Sequence, residues 1–97
     1  MTIVGFPKSE AFWQRHADAR GPLLRWYTLT IQASWKTFLD VRRTFPSADL
    51  VGLCIVFNIG GNKYRLIGKI DYELQTVNVR FVLTHRDYSR NAWKAAC

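Results

Sequence analysis

The sequence is poor in acidic residues and in residues that cross-link or kink a chain. It has 7 Asp and Glu against 14 Lys and Arg, together with 2 cysteines and 3 prolines. Cys54 lies inside an apolar run and Cys97 is the last residue, so neither is expected to belong to a disulfide framework. This cysteine usage fits a protein of a reducing compartment.

Long hydrophobic runs are absent as well. The longest uncharged apolar run, Leu50 to Phe57, is far shorter than the roughly 20 residues that a membrane-spanning helix needs. Met1 to Lys8 lacks the layout of a signal peptide. The histidines and cysteines match no CxxC or HxxxH ligand set. We therefore expect a cytoplasmic protein without membrane contact, structural metal or other cofactor.

The chain does contain enough apolar material for one small folded domain. Of its 97 residues, 48% are hydrophobic and 14% are aromatic, which is too rich for a disordered polypeptide. A chain of this length does not hold a second independent core, so we expect a single domain over residues 1–97. Its net charge of +7 favours a phosphate polymer, anionic lipid or an acidic partner, and does not choose among them.

The first half of the chain has the pattern of two helices. Ser9 is a plausible N-cap for a helix that runs to Arg20, where Gly21-Pro22 interrupts the pattern. Pro22 suits the first turn of a second helix, predicted to continue to about Arg43. Spacings of three and four residues predict one apolar stripe on that helix. The stripe consists of Leu24, Tyr27, Ile31, Trp35 and Phe38.

The second half has the pattern of strands. A loop is predicted over Thr44 to Gly52, followed by three strands and by one or two helical turns near the C-terminus. The strands are Leu53 to Ile59, Lys63 to Tyr72 and Thr76 to Thr84, and the helical turns lie between Asp87 and Ala96. The expected fold class is α+β, with two N-terminal helices packed on a three-stranded antiparallel sheet and a short C-terminal helical segment.

Two-residue turns at Gly60-Gly61 and Leu74-Gln75 would sort the side chains of this sheet onto two faces. In that register Lys69 lies opposite Arg80, and such like-charged pairs are destabilising unless an anion compensates. The face predicted to pack on the helices carries Ile55, Phe57, Tyr64, Leu66, Ile70, Tyr72, Val77, Val79, Phe81 and Leu83. The other face carries Asn58, Lys63, Arg65, Lys69, Asp71, Asn78 and Arg80. It is either an anion-binding surface or an ordinary solvated sheet face.

His85 and Tyr88 follow the last strand, near the end where Arg65 is expected. An imidazole, a phenol, guanidiniums and a lysine are the groups that metal-free phosphodiester cleavage needs. A base removes the proton of a ribose 2′-OH, cations stabilise the charged phosphorane, and an acid protonates the leaving 5′ oxygen. A lone histidine at a strand end is more commonly an ordinary polar residue, so both interpretations stand at this point.

The four tryptophans could suggest base stacking, but most of them are better explained as core residues. Trp35 lies on the apolar stripe, and Trp13 and Trp26 are expected to pack between the two helices. Trp93 follows the strands, in a segment without clear periodicity, and the sequence assigns it neither to the core nor to an RNA surface.

Several segments of the chain together resemble the HigB-type toxins of bacterial toxin–antitoxin modules. They are VFNIGGNKYRLI at residues 56–67, THRDY at 84–88, FPSAD at 45–49, the Ala33-x-Trp35 segment and Phe12-Trp13. The resemblance covers roughly Phe12 to Trp93. It implies a compact RelE-like fold and a ribosome-dependent, metal-independent endoribonuclease that cleaves translated mRNA. It also implies a helix-turn-helix antitoxin of the HigA type, through which the complex would bind operator DNA.

The resemblance also implies candidate site residues. The catalytic candidates are Lys63, Arg65, His85 and Tyr88. Arg65 is expected to clamp the phosphate, and His85 to act as base or acid. The candidates for RNA or phosphate binding are Asn58 and Asn62, which belong to the matching segments, and Lys69 and Arg80, which lie on the basic face of the predicted sheet. The two asparagines are also what the geometry of a hairpin around Gly-Gly would select unaided.

Two other functions compete with an RNA-cleaving toxin. A non-catalytic RNA- or DNA-binding module would use the same basic face for phosphate contacts alone. A subunit that works only through a protein partner would show an exposed apolar patch and would tolerate charge removal on the sheet. Loss of cleavage with retained RNA affinity in a His85→Ala variant would distinguish the toxin from the binding module.

Overall fold

A computed structural model describes all residues from Met1 to Cys97. Four α-helices and a five-stranded mixed sheet build it, with two short 3-10 helices at Ala17–Ala19 and Ala92–Ala96. The elements are β1 (Thr2–Val4), α1 (Pro7–Arg15), α2 (Arg20–Ile31), α3 (Phe38–Thr44), β2 (Asp49–Val51), β3 (Cys54–Ile59), β4 (Tyr64–Asp71), β5 (Thr76–Thr84) and α4 (His85–Ser89). The α+β class is confirmed, but the sheet is larger than the three strands expected.

The two additional strands lie at the edges of the sheet, whose order is β1-β5-β4-β3-β2. β1 runs parallel to β5, and Ile3 faces Val77. β2 pairs antiparallel with β3 inside the segment predicted as a loop, so that prediction was wrong there. Each edge strand has three residues, which is too short to show a period of two in the sequence.

The helices differ from the prediction in their bounds. α1 begins at Pro7 with Phe6 as its N-cap, so Ser9 is not a cap but a buried residue inside the helix. The long second helix is two helices, because Thr37 and Asp40 form a capping box that begins α3. Between them, Trp35 turns into the core, where its indole N–H donates to Thr44 Oγ1 at 3.0 Å. No helix combines the length and the apolarity that crossing a bilayer requires.

The buried side of α2 also differs from the predicted apolar stripe. Leu23, Trp26 and Thr30 are the buried residues of α2, whereas Ile31 of the predicted stripe is 44% exposed. The stripe joined residues of two helices as if they formed one, so its phase was wrong on α2. The indole of Trp26 packs edge-on against Phe57 of β3, and this contact sets the orientation of the helix on the sheet.

Both hairpin turns have four residues at their tips, so the predicted register was wrong. Asn58 faces Arg65, and Lys69 faces Asn78 instead of Arg80. Gly60 and Gly61 both have left-handed backbone angles, with φ of 62° and 67°, which only glycine adopts without cost. In addition, a β-bulge at Ile67/Gly68 leaves Arg80 without a partner on β4. The like-charge pair of the predicted register therefore does not occur.

Because of the bulge, the side chains of β5 that follow it point to the opposite face of the sheet from the one predicted. Val77, Val79 and Val82 lie with the core under the helices, but Phe81 and Leu83 lie on the opposite face, contrary to the prediction. The core under the helices contains Phe12, Ala19, Leu23, Trp26, Trp35, Val41, Ala48, Ile55, Phe57, Ile59, Leu66, Val77 and Val79. A bulge adds one residue to a strand, so the alternation of faces shifts by one residue beyond it.

The C-terminal segment covers one end of the opposite face. A second cluster of buried residues forms there, with Trp93 packed on Cys54, Val56 and Ile67. Cys54 and Cys97 are joined by a disulfide, although the sequence indicated no disulfide pairing. The chain folds back so far that the N–H of Leu53 donates to the carbonyl of Cys97 at 2.8 Å. Because disulfides are uncommon in cytosolic proteins, the cysteines no longer support a reducing compartment.

Candidate active site

Arg65 is a buried cation that no carboxylate neutralises. Its side chain projects from β4 on the face away from the helices, and the residue is only 7% exposed. The three ion pairs of the protein lie elsewhere, at Arg43–Asp40, Lys63–Asp18 and Arg90–Asp87. Burying a charge without a counter-ion is costly, so such a group is typical of a site that binds an anion.

Hydrogen bonds to the β3–β4 turn fix the guanidinium of Arg65. Its Nη1 donates to the carbonyls of Asn62 and Tyr64, both at 3.1 Å, and its Nη2 donates to the side-chain oxygen of Asn62. A guanidinium has five N–H donors, so Nε and one hydrogen of Nη2 remain without a protein partner. Those two donors can grip two oxygens of one phosphate.

The ring of Tyr88, which belongs to α4, lies over the guanidinium of Arg65. The centroid of the Tyr88 ring lies 5.0 Å from Cζ of Arg65, within the range of a cation–π contact. The same ring stacks on Trp93 with centroids 5.2 Å apart and an interplanar angle of 13°. Trp93 in turn donates its indole N–H to the carbonyl of Tyr88 at 2.9 Å. The phenol of Tyr88 is therefore held beside the guanidinium by its neighbours.

His85 is the first residue of α4 and is exposed. The Ser89 hydroxyl donates to the carbonyl of His85 at 2.8 Å and also lies 3.3 Å from Nδ1 of His85. Which of these two atoms donates depends on the tautomer of the imidazole. Nε2 of His85 makes no hydrogen bond within the protein, so it is available to a bound substrate.

The short helix α4 keeps His85 and Tyr88 on the same side. Thr84 ends β5 and accepts from the backbone N–H of Asp87 at 3.2 Å, so the helix begins where the strand ends. The rings of His85 and Tyr88 lie 6.3 Å apart. Thr84 faces Tyr64, the residue before Arg65, which places the start of the helix beside the arginine.

Lys63 is directed to the helix side of the sheet rather than to Arg65. Its ammonium lies 2.9 Å from Asp18, and the hydroxyl of Tyr64 donates to the same carboxylate at 2.6 Å. The hydrogen bond from Tyr64, followed by that from Lys63, holds the pKa of Asp18 below its usual value. The same contacts raise the pKa of Lys63 and of Tyr64. The structure therefore does not group Lys63 with the other predicted catalytic residues.

The four predicted RNA-binding residues are distributed over a wider area. Asn62 holds Arg65, as described above, and Asn58 faces Arg65 across the strands. Asn58 is exposed and also lines a groove of about 470 Å³ between α2 and the Gly60-Gly61 turn. Lys69 lies further along β4 on the same face as Arg65, and Arg80 is exposed in the bulge. Asn58 and Asn62 therefore lie beside Arg65, whereas Lys69 and Arg80 lie further from it along the strands.

Trp93 and the disulfide are parts of this region that the sequence did not indicate. Trp93 is 4% exposed and supports Tyr88, yet it lies in a segment without hydrophobic periodicity. Cys54 and Cys97 are 43 residues apart, and only the returning C-terminal segment brings them together. The apolar character of Phe81 and Leu83 was visible, but their place beneath this segment depends on the bulge.

Comparisons with known proteins show the family of this chain. Residues 19–91 match the family model of the HigB toxin, described as the RelE-like toxic component of a toxin-antitoxin system. The chain is 35% identical over 52 residues to the mRNA interferase toxin HigB of Escherichia coli (strain K12). The same identity and length relate it to the mRNA interferases HigB of Escherichia coli O157:H7 and Shigella flexneri. Each match spans 50% of this chain and 50% of the relative. Because the family model covers most of the chain, this protein belongs to the HigB toxin family.

Proposed function

We propose that this protein is the toxin of a toxin–antitoxin pair and an endoribonuclease that cleaves translated mRNA on the ribosome. One observation carries the proposal: Arg65 is a buried, hydrogen-bonded cation with two free donors and no carboxylate partner. Family membership and the names of the relatives, which are mRNA interferases, support it. Residues 1–97 would act as a single RelE-like domain.

The reaction needs no cofactor in this proposal. Nε2 of His85 takes the proton of a ribose 2′-OH, and the 2′ oxygen attacks the adjacent phosphorus atom. Arg65 stabilises the additional negative charge of the phosphorane through its free Nε–H and Nη2–H donors. The bond from phosphorus to the 5′ oxygen then breaks. The products are a 2′,3′-cyclic phosphate and a 5′-hydroxyl.

Tyr88 is the nearest group to act as the acid or to orient the leaving oxygen. Its ring lies 5.0 Å from Cζ of Arg65 and 6.3 Å from the ring of His85, and its hydroxyl makes no hydrogen bond within the protein. Lys63 would take part only after leaving Asp18, so we assign it to the electrostatic surroundings of the site. Lys69 and Arg80, with Asn58, would contact RNA phosphates on either side of the cleaved bond.

The partners follow from the same proposal. The net charge of +7 favours ribosomal RNA and mRNA as binding surfaces. A helix-turn-helix antitoxin of the HigA type would neutralise the toxin, and the complex would bind operator DNA through the antitoxin. The site of action would be the cytoplasm, where translated mRNA is found.

The experiment is induced expression of the wild type and of two variants in a bacterial host, with growth recorded and 5′ ends of mRNA mapped. Arg65→Gln and His85→Gln should each abolish growth arrest and remove cuts that follow the reading frame. Arg15→Gln, which removes an exposed arginine at the end of α1, is the matched control and should behave as the wild type. Purified protein with and without ribosomes would test ribosome dependence.

The opposite results would redirect the proposal. If well-folded wild-type protein binds RNA and leaves mRNA intact, then it is a binding module that uses the same basic surface. Cleavage that survives in Arg65→Gln at equal protein level would show that the buried guanidinium is not the phosphate clamp. A cleavage rate that depends on an added metal ion would contradict the metal-free mechanism.

A further inference from the structure

A second groove, of about 330 Å³, lies on the face of the sheet away from the helices. It is lined by Phe81, Leu83, Asp87, Arg90, Ala92 and Trp93. Of these six residues, only Trp93 has a part in the site described above, where it supports Tyr88. The floor consists of two β5 side chains beyond the bulge, and the walls come from the C-terminal segment.

The groove has an apolar interior and a polar rim. Phe81 and Leu83 are half-buried, so each leaves part of its surface open, while Asp87 and Arg90 are exposed. The closest approach between the Asp87 carboxylate and the Arg90 guanidinium is 4.0 Å, which is too long for a hydrogen bond. The two groups form an ion pair without a direct hydrogen bond, so each retains its hydrogen-bonding capacity for a ligand, one as acceptor and the other as donor.

This combination suits a nucleobase. A base has flat apolar faces, which pack on aromatic and aliphatic side chains, and an edge of donors and acceptors, which bind carboxylates and guanidiniums. A groove of about 330 Å³ lies at the small end of ligand sites, as expected for one base rather than for a helix or a peptide.

The groove lies next to the proposed phosphate clamp. Trp93 forms one wall of the groove, and its ring stacks on Tyr88 at 5.2 Å. Tyr88 in turn lies 5.0 Å from Cζ of Arg65. Two successive ring contacts thus connect the groove with the guanidinium. A phosphate at Arg65 and its neighbouring base in the groove are compatible with one bound RNA strand.

The charge around the groove favours the same occupant. Between Arg80 and Lys94 the chain carries four exposed basic residues, which are Arg80, Arg86, Arg90 and Lys94, and Asp87 as its one acidic residue. A polyanion would be attracted to this segment, whereas an acidic residue at the rim would discriminate between bases.

We propose that this groove binds one nucleobase of the RNA beside the cleaved phosphodiester and so determines base preference. The inference rests on the proposed function for the identity of the ligand. Arg90 and Asp87 read the edge of the base, and Phe81 contacts its face. These residues act in specificity and have no part in the proton transfers.

Three variants test the proposal in the active protein. Arg90→Gln removes the donor at the rim, and Phe81→Leu removes the aromatic face at similar volume. Arg86→Gln removes an equal charge from the adjacent helix α4, outside the groove. The readout is the frequency of each base beside the cut, from mapped 5′ ends. Arg90→Gln and Phe81→Leu should change the preference at one position by about fivefold or more, and Arg86→Gln should leave it unchanged. Unchanged preference in both groove variants overturns the proposal.

A binding experiment separates this proposal from the proposed function. The four nucleoside 5′-monophosphates are titrated into the full chain, and NMR shifts are recorded for the Leu83 amide and the Trp93 indole N–H. Ribose 5-phosphate is the control without a base. Saturable shifts that only the nucleotides produce support the groove as a base site even if the protein cleaves no RNA. If the wild type is inactive and the nucleotides shift these signals no more than ribose 5-phosphate does, the proposal fails.

Discussion

The two faces of the sheet are covered to very different extents. The face under the helices contains a cluster of 13 buried residues, whereas the opposite face contains a buried cluster of 4. The helices α1 and α2, with the α3 segment, cover the first face, but only the C-terminal segment covers the second. Free energy from apolar burial therefore comes mainly from the helix side.

The thinly covered face is the one that carries the proposed site. Arg65, Tyr88 and the groove beside Trp93 all lie there, and the buried cation has no carboxylate nearby. A site that must bind phosphate needs an unneutralised charge, which opposes folding, so the stability has to be supplied elsewhere. This division allows changes on the second face to alter activity with a smaller effect on folding.

The largest effect is expected from a change on the helix side. Phe57→Ala should destabilise the fold by about 3–5 kcal/mol, because Phe57 is 1% exposed and packs against Trp26, Phe45 and Trp35. Urea unfolding followed by tryptophan fluorescence measures this change. A cost below about 1 kcal/mol would show that the helix side is not the main source of stability.

A smaller effect is expected from opening the disulfide on the second face. It closes a loop with a sequence separation of 43, so its reduction should cost about 2–4 kcal/mol. Amide hydrogen exchange should rise in the segment from His85 to Cys97 more than in β4, because this cross-link holds the segment down. Cys97→Ser should show the same exchange with and without a thiol reductant. Equal protection of both regions in the reduced wild type would contradict the comparison.

Much of the fold could be predicted because its central strands are long. The three strands of β3 to β5 have 6, 8 and 9 residues, enough for their β-branched and aromatic content to show. The edge strands, the break between α2 and α3 and the bulge at Ile67/Gly68 were missed. β1 pairs with β5, which is distant in sequence, so local patterns do not report it. The other missed features are local: β2 has only three residues, and the start of α3 follows from the capping box of Thr37 and Asp40, which the apolar stripe obscured.

The candidate site was predictable to a similar degree. The face of Arg65 was correct, because the two-residue error in the β3–β4 register leaves the alternation of faces unchanged. The register gave no indication of Asp18, which lies in a helix 45 residues before Lys63 and binds it. It also gave no indication of Trp93, because the C-terminal fold-back that buries this residue has no periodic signal. The roles of the site residues stay predictions.

An effect on stability close to zero is expected at Arg65 itself. Arg65→Met removes a buried charge and keeps the apolar stem, so the free energy of unfolding should change by less than about 1 kcal/mol. The carbonyls of Asn62 and Tyr64 that lose a donor are only partly buried, so water can replace it. Ile67→Ala on the same face is the contrast and should cost about 2–5 kcal/mol. If Arg65→Met costs as much as Ile67→Ala, then the guanidinium is structural.

The smallest effect concerns the acid stability of the Asp18 contacts between the helix side and the β3–β4 turn. Tyr64 and Lys63 lower the pKa of Asp18 from its ordinary value of 3.8. A carboxyl whose pKa is lower in the folded state contributes stability that is present above pH 3.8 and lost as the pH falls through the lowered pKa. Asp18 is exposed, so screening keeps this contribution small. Asp18→Asn should therefore slightly reduce stability at neutral pH, with the difference from the wild type vanishing in acid.

Urea unfolding across this pH range measures the difference, with Asp49→Asn as the control because Asp49 makes no ion pair. A deficit in Asp18→Asn that persists at the lowest pH would assign the effect to packing rather than to the charge of Asp18.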